Sequence, residues 1–298
     1  MGDERVHVFV QIDVFTNRIF GGNPLAVFLD GRGLSDGEMQ AIASEMNLSE
    51  TTFILPPDDA AHAARVRIFT PTAELPFAGH PTIGTSWVLR DRGLVPADAG
   101  SFVLELGLGP ITVRVDRDFL WMDQGAASFG PVFEDRAAVA DAIGLTMDDL
   151  LPDMPVQPVS TGSPFIYVPL RDPATVDRVA PKLDAYQQIV ERVGWGVRSA
   201  FFFAPKPGGG VHARMIGIGR GMLREDPATG SANGPLGAYL VKYGIVRGEG
   251  IVEIVSEQGT AMGRQSFIHL RVATGSGEPG SVEVGGQVVP VFEGVLRL

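Results

Sequence analysis

Residues 74–93 read ELPFAGHPTIGTSWVLRDRG and residues 225–244 read EDPATGSANGPLGAYLVKYG. Shifted by about 151 positions, the two stretches align without a gap, Glu74 on Glu225, Pro76 on Pro227, Gly79 on Gly230, Leu89 on Leu240 and Gly93 on Gly244. Each copy reads as a glycine turn followed by a helix that a second glycine closes, since Gly79 and Gly230 permit positive φ or close backbone approach and Gly93 and Gly244 suit a left-handed cap. Between these punctuation points Ile83, Trp87, Val88 and Leu89, or Leu236, Ala238, Tyr239 and Leu240, alternate with small residues instead of charges. A helix apolar nearly all round belongs inside something.

The flanking segments repeat in the same order. In the first half, alternating apolar and polar residues predict strands over Val6 to Phe15, Leu25 to Asp30, Thr51 to Leu55 and Ala64 to Thr70. Ser35 and Glu38 form an S-x-x-E capping box, and Met39, Ile42, Ala43 and Met46 follow at helical spacing. Three short strands, Phe102 to Leu106, Ile111 to Val115 and Leu120 to Asp123, complete that half. In the second half Gly162-Ser163-Pro164 echoes Gly22-Asn23-Pro24, a helical region over Val176 to Val193 precedes the strand Ser199 to Ala204, and the strand Val211 to Ile216 leads into the second copy. Strands at Ile251 to Ser256, Phe267 to Val272 and Ser281 to Val284 follow it.

The pattern predicts an α+β fold of two pseudo-symmetric domains, each a curled, barrel-like mixed sheet around its central helix with one outer helix. The boundaries fall at residues 1–125 and 126–285, with the terminal strand 286–298 a candidate to cross back to the first domain. The length of 298 residues agrees with two cores.

A net charge of −11 without long runs of one sign lacks the footprint of a nucleic-acid or anionic-membrane binder. No apolar run reaches the length of a membrane span, and the acidic N-terminus enters a strand at once, so the expectation is a cytoplasmic protein without a signal peptide. The absence of cysteine removes disulfides, thiolate metal sites and thiol nucleophiles, and the five histidines show no zinc spacing. No metal is expected. The string Gly275, Gly277, Gly280 matches G-x-G-x-x-G, but Pro279 interrupts it and too little chain follows for a βαβ unit. Gly217, Gly219 and Gly221 fail that spacing and read as a loop.

Two repeated domains commonly hold a ligand in the cleft between them, and the expected walls are the N-termini of the central helices. There Gly79 with His80, and Gly230 with Ser231, can offer unpaired N–H groups to a carboxylate or an enolate-like charge. Asp226 stands where the first copy has Leu75, so the shared fold does not need it. Among the glutamates, spacing alone does not separate Glu50 from Glu45 or Glu74 as an acid or base.

The runs GGNPLAVFLD, EMNLSETTF, RIFTPTAELPFAGHPTIGT and EDPATGSANGPL resemble the signature segments of the phenazine-biosynthesis PhzF-like isomerase family, in order and over nearly the whole chain. The resemblance implies the diaminopimelate-epimerase-like fold, commonly as a homodimer, and a cofactor-independent isomerase that moves a proton between carbons of a small carboxylated cyclic or unsaturated metabolite. The known activity of that kind is isomerisation of trans-2,3-dihydro-3-hydroxyanthranilate. Carried over position by position, Glu50 of NLSE resembles the general acid/base, and His80 and Asp226 its supporting polar groups. Asn23, Ser49, Gly79, Gly230 and Ser231 resemble the substrate-binding set. Racemases of this fold pass a proton between two cysteines, and the matching positions here are Ala78 and Thr229. A single carboxylate that takes and returns the proton is the natural substitute, with a pKa raised by an enclosed site. Two rival readings are a racemase or epimerase using Glu50 and Asp226 as opposed bases, and a non-catalytic binder of small anions.

Overall fold

The computed structural model describes residues 5–219 and 221–298, so residues 1–4 of the N-terminal stretch and Arg220 of the glycine-rich run at 217–221 lie outside the described residues. The chain forms two compact units, one running to Asp123 and resuming at Gly285, the other spanning Gln124–Val284.

The first unit contains β1 (Val6–Val14), β2 (Asn23–Phe28), α1 (Asp36–Met46), β3 (Glu50–Leu55), β4 (Ala64–Phe69), β5 (Glu74–Leu75), α2 (Gly79–Asp91), β6 (Ser101–Leu106), β7 (Gly109–Asp116) and β8 (Phe119–Ala126), whose last residues pass into the second unit. The second contains β9 (Ser128–Phe129), α3 (Arg136–Ala142), β10 (Gln157–Ser160), β11 (Pro164–Pro169), α4 (Pro173–Asp177), α5 (Leu183–Val193), β12 (Ser199–Pro205), β13 (Val211–Gly219), β14 (Met222–Asp226), α6 (Gly230–Lys242), β15 (Gly250–Gln258), β16 (Ser266–Gly275) and β17 (Glu278–Gly286). The terminal strand β18 (Val288–Arg297) belongs to the first unit, antiparallel to β1.

Strand pairing is the same in both units. β18 lies on β1 as β9 lies on β10, each antiparallel. β2 runs parallel to β3 as β11 does to β12, and β4 parallel to β6 as β13 does to β15. The pairs β1–β2 and β10–β11, β3–β4 and β12–β13, β6–β7 and β15–β16, and the hairpins β4–β5 and β13–β14 are antiparallel. These mixed sheets curl around their central helices, and among the described residues no pairing closes β18 onto β8, so the first barrel-like sheet stays open.

Burial of the central helices follows from their composition. Gly79 through Ser86, then Val88 and Leu89, are buried in α2, as are Gly230 and Ala232 through Val241 in α6. Gly84 lets α2 approach the sheet, because a Cβ there would stand 2.6 Å from Leu25 Cδ2 and 2.8 Å from Val14 Cγ2. The outer helix α1 starts at the Ser35–Glu38 capping box and buries Met39, Ile42 and Ala43 against Phe28, Phe53 and Phe69.

The second unit departs from the expectation of one outer helix. Pro181 interrupts the helical region expected over residues 176–193, giving separate α4 and α5, and the intervening chain is drawn onto the end of α3 by Ala180 N to Ile143 O and Lys182 N to Ala142 O. α3 itself, alanine-rich and short, shows little apolar periodicity, and its start is fixed by Asp135 accepting from Ala138 N at 3.1 Å. Of the three glycines expected in a loop, Gly217 and Gly219 lie in β13 and pair with β14, while Gly221 lies in the turn before β14. Gly275 and Gly277 lie at the β16–β17 turn, Gly277 with φ of +79°.

One contact is duplicated that no local pattern announces. Arg67 Nε and Nη2 grip the Glu74 carboxylate at 2.7 and 2.6 Å across β4–β5, and Arg214 Nε and Nη2 grip Glu225 at 2.9 and 2.7 Å across β13–β14. The third nitrogen reaches an outer helix each time: Arg67 Nη1 meets Asp36 in the first turn of α1, and Arg214 Nη1 meets the Val176 and Val179 carbonyls around the end of α4. These planar forks set the hairpins that deliver the chain into α2 and α6.

Candidate active site

In the first unit, the parallel pairing of β2 with β3 opens both strands at one edge. Asn23 is the first residue of β2 and fully buried, Glu50 is the first residue of β3, and Ser49 immediately precedes it. The register that sets Leu25 opposite Glu50 keeps these starts together. α2 packs on β1, β2 and β3 and brings His80, its second residue, to Glu50, with Nε2 at 3.4 Å from Oε2.

His80 is 4% exposed, and burial pushes its pKa down to about 3. The ring is therefore neutral at neutral pH, and its approach to Glu50 is not an ion pair. Nε2 is buried and, among the described residues, has no hydrogen-bond partner beyond its longer approach to Glu50. A neutral imidazole beside a carboxylate is suited to exchanging or sharing a proton once a ligand tightens the geometry.

Both central helices start without a side-chain cap. α2 has Ala78 at its N-cap, Pro81 brings no N–H, and Thr82 N turns back to Ala78 O at 3.3 Å, so Gly79 and His80 supply the outward donors of the first turn. In α6, Ala232 N and Asn233 N both donate to Thr229 O at 3.1 Å, which leaves Gly230 and Ser231 in that role. Uncapped N–H groups at the positive end of a helix dipole suit a carboxylate.

In the second unit Asp226 ends β14, and its Oδ2 accepts from Thr229 Oγ1 at 2.6 Å. Three polar residues around it were not anticipated: Thr229 as a hydrogen-bonding group, Asn233 and Gln258. Gln258 and Asn233 are fully buried and bond to each other at 3.1 Å and to Thr229. Gln124 also serves this turn, donating from Nε2 to Gly230 O at 3.1 Å. The same signal that singled out Asp226, a polar residue where the first copy is apolar, applies to Thr229 opposite Ala78. The structure thus joins Glu50 with His80, with Asn23 and Ser49 at the same strand edge, and separately Asp226 with the turn to Gly230 and Ser231.

Among the described residues, no helix is long and apolar enough to cross a membrane. The family model described as phenazine biosynthesis-like protein matches residues 12–294. The uncharacterized isomerase YddE of Escherichia coli strain K12 is 34% identical over 289 residues, covering 95% of each chain. The trans-2,3-dihydro-3-hydroxyanthranilate isomerase of Pseudomonas chlororaphis is 32% identical, covering 98% of this chain and 100% of its own. A crystal structure of a phenazine biosynthesis protein of the PhzF family from Bacillus anthracis superposes with a TM-score of 0.89 at 27% identity, covering 99% of this chain and 100% of that one.

Proposed function

Because the chain belongs to the phenazine biosynthesis-like family, in which its relatives are named isomerases, we propose that it is a cofactor-independent isomerase that moves a proton between carbons of a small carboxylated, cyclic or unsaturated metabolite. The observation that supports it most is Glu50 held 3.4 Å from a buried, neutral His80 at the open N-terminus of α2. Glu50 takes a proton from one carbon and returns it to another, while His80 holds the carboxyl in place and shares its proton. Gly79, with Asn23 and Ser49, steadies the substrate and the charge that develops on it. Asp226 is assigned a supporting polar role, and Gly230 and Ser231 the binding of an anionic group of the substrate. A substrate of the dihydrohydroxyanthranilate type, a homodimer and a cytoplasmic location belong to the same reading.

The test follows solvent deuterium into trans-2,3-dihydro-3-hydroxyanthranilate by NMR. Glu50→Gln should slow incorporation by about 10² to 10⁴-fold, the usual weight of a general acid/base. Incorporation at the native rate would remove Glu50 from the mechanism. A racemase with Glu50 and Asp226 as opposed bases would instead exchange at one stereocentre with inversion, and the engagement of Asp226 Oδ2 by Thr229 at 2.6 Å argues against that role. A mere anion binder would show ligand-dependent thermal stabilisation without any exchange.

A further inference from the structure

We propose that Gln258 is a positioning residue of the second unit's half-site, acting through Thr229 to fix Asp226 and to hold the Gly230 and Ser231 N–H groups open to an anionic group. This rests on the reading of Asp226, Gly230 and Ser231 as site residues.

One buried amide makes four hydrogen bonds, all to the turn that starts α6 or to its first residues. Gln258 Oε1 accepts from Thr229 N and from Asn233 Nδ2, each at 3.1 Å. Its Nε2 donates to Asp226 O at 2.8 Å and to Thr229 Oγ1 at 3.0 Å. The orientation is unambiguous, because a flipped amide would set its nitrogen against the Thr229 N–H and its oxygen against the Asp226 carbonyl. The direction of the next bond follows. Thr229 Oγ1 accepts from Gln258, so its own proton is free to point to Asp226 Oδ2 at 2.6 Å. Gln258 thus occupies the N-cap N–H and orients the hydroxyl that holds the carboxylate.

Comparison of the two units shows that the fold does not require this network. The ladder pairs Ala64 with Leu104 in the first unit and Val211 with Ser256 in the second. The Arg67 and Arg214 forks make Ala64 and Val211 equivalent, so Gln258 corresponds to Leu106. The neighbouring glycines agree: Gly107 lies against Pro76 and Gly259 against Pro227, each at the proline that leads to a central helix. Leu75, Ala78 and Leu106 of the first unit are therefore replaced together by Asp226, Thr229 and Gln258. An apolar trio makes the same turn into the same kind of helix. Thr229 and Gln258 are buried and Asp226 half-buried; polar groups in such a place are costly unless hydrogen-bonded, and the service of a bonded network is to hold groups in one orientation.

The first unit also supplies the test variant, since leucine at this place is compatible with the turn. The probe is anthranilate, a stable aromatic amino-carboxylate related to the relatives' named substrate, titrated into the full chain while the Gly230 and Ser231 amide resonances are followed. In the wild type these resonances shift saturably. Gln258→Leu, with its thermal midpoint within a few degrees of wild type, should bind about tenfold more weakly, and Thr229→Ala similarly. The double variant should bind no more weakly than Gln258→Leu alone, because both remove one network. Binding is read without turnover, so loss of Glu50 chemistry and loss of this site are read separately. Native binding by Gln258→Leu, additive losses in the double variant, or no shift of Gly230 and Ser231 in the wild type would each overturn the proposal.

Discussion

Replacing His80 by Gln should flatten the acid limb of the stability profile. Burial holds the folded imidazole's pKa down to about 3, against 6.5 for the free side chain. Between those values the unfolded chain binds a proton that the folded chain refuses, so stability is intact above pH 6.5 and is lost as pH falls. The loss amounts to about 1.4 kcal/mol per pH unit, hence about 2 kcal/mol by pH 5 and about 5 kcal/mol near pH 3. Urea unfolding of wild type and His80→Gln at pH 7.5, 6.5, 5.5 and 5.0 gives the difference directly. Glu38, Glu105, Asp149 and Glu257, held near 2 by their hydrogen-bond partners, lose their contributions as pH falls from their ordinary values of 4.5, or 3.8 for Asp149, towards about 2, and like the burial-lowered His269 they cancel in the comparison. The rival picture has the opposite sign: if His80 were charged and paired with Glu50 at 3.4 Å, wild type would gain on the variant between pH 8 and 6. A constant difference over the whole range, or a gain on acidification, would refute the neutral-histidine argument.

Two packing predictions accompany it. Gly84→Ala should destabilise the first unit by about 1 to 2 kcal/mol in urea unfolding, because overpacking against the fully buried Leu25, Val14 and Ile12 outweighs the better helix propensity of alanine. A stabilised variant would show that the sheet yields there. Arg214→Met should cost about 3 kcal/mol and Arg67→Met less, measured by thermal denaturation, since the Arg214–Glu225 side chains are 12% and 16% exposed against 23% and 43% for Arg67–Glu74. Equal losses would mean that burial does not set the worth of the forks.

What could be read from the sequence was local or repeated. The capping box at Ser35 and Glu38 and the enclosed character of α2 and α6 depend on residues within a turn or two of each other, and the duplication made each half a check on the other. The helices α3, α4 and α5 were blurred because the break at Pro181 is completed by hydrogen bonds to α3, which lies about forty residues earlier in the chain. The Arg67–Glu74 and Arg214–Glu225 forks require the strand register to be known before either pair has meaning. At the site, resemblance named Glu50 and His80, but their approach is a product of parallel β2 and β3 beneath α2. Gln258 is hidden in the sequence for a simpler reason: a shift of about 151 sets it against Gly107, whereas the ladder sets it against Leu106.

That one-residue correction alters how the duplication is understood. What the two units share is the frame: strand order, parallel pairs, hairpin forks and uncapped central helices. What they do not share is the polar chemistry around the starts of β3, β12 and the central helices. Glu50 opens β3 where the second unit opens β12 with Ser199, and His80 follows the helix glycine where the second unit has Ser231. Conversely Asp226, Thr229 and Gln258 replace three apolar residues of the first unit. A pair of identical halves suits a reaction with two equivalent bases, such as the exchange of a proton across one stereocentre. Halves that keep the frame and diverge at these positions suit a division of labour, with a proton carrier on one unit and an orienting, anion-holding turn on the other. The proposed isomerisation agrees with that asymmetry, because a proton that leaves one carbon and arrives at another on the same molecule calls for one carrier and a substrate held still.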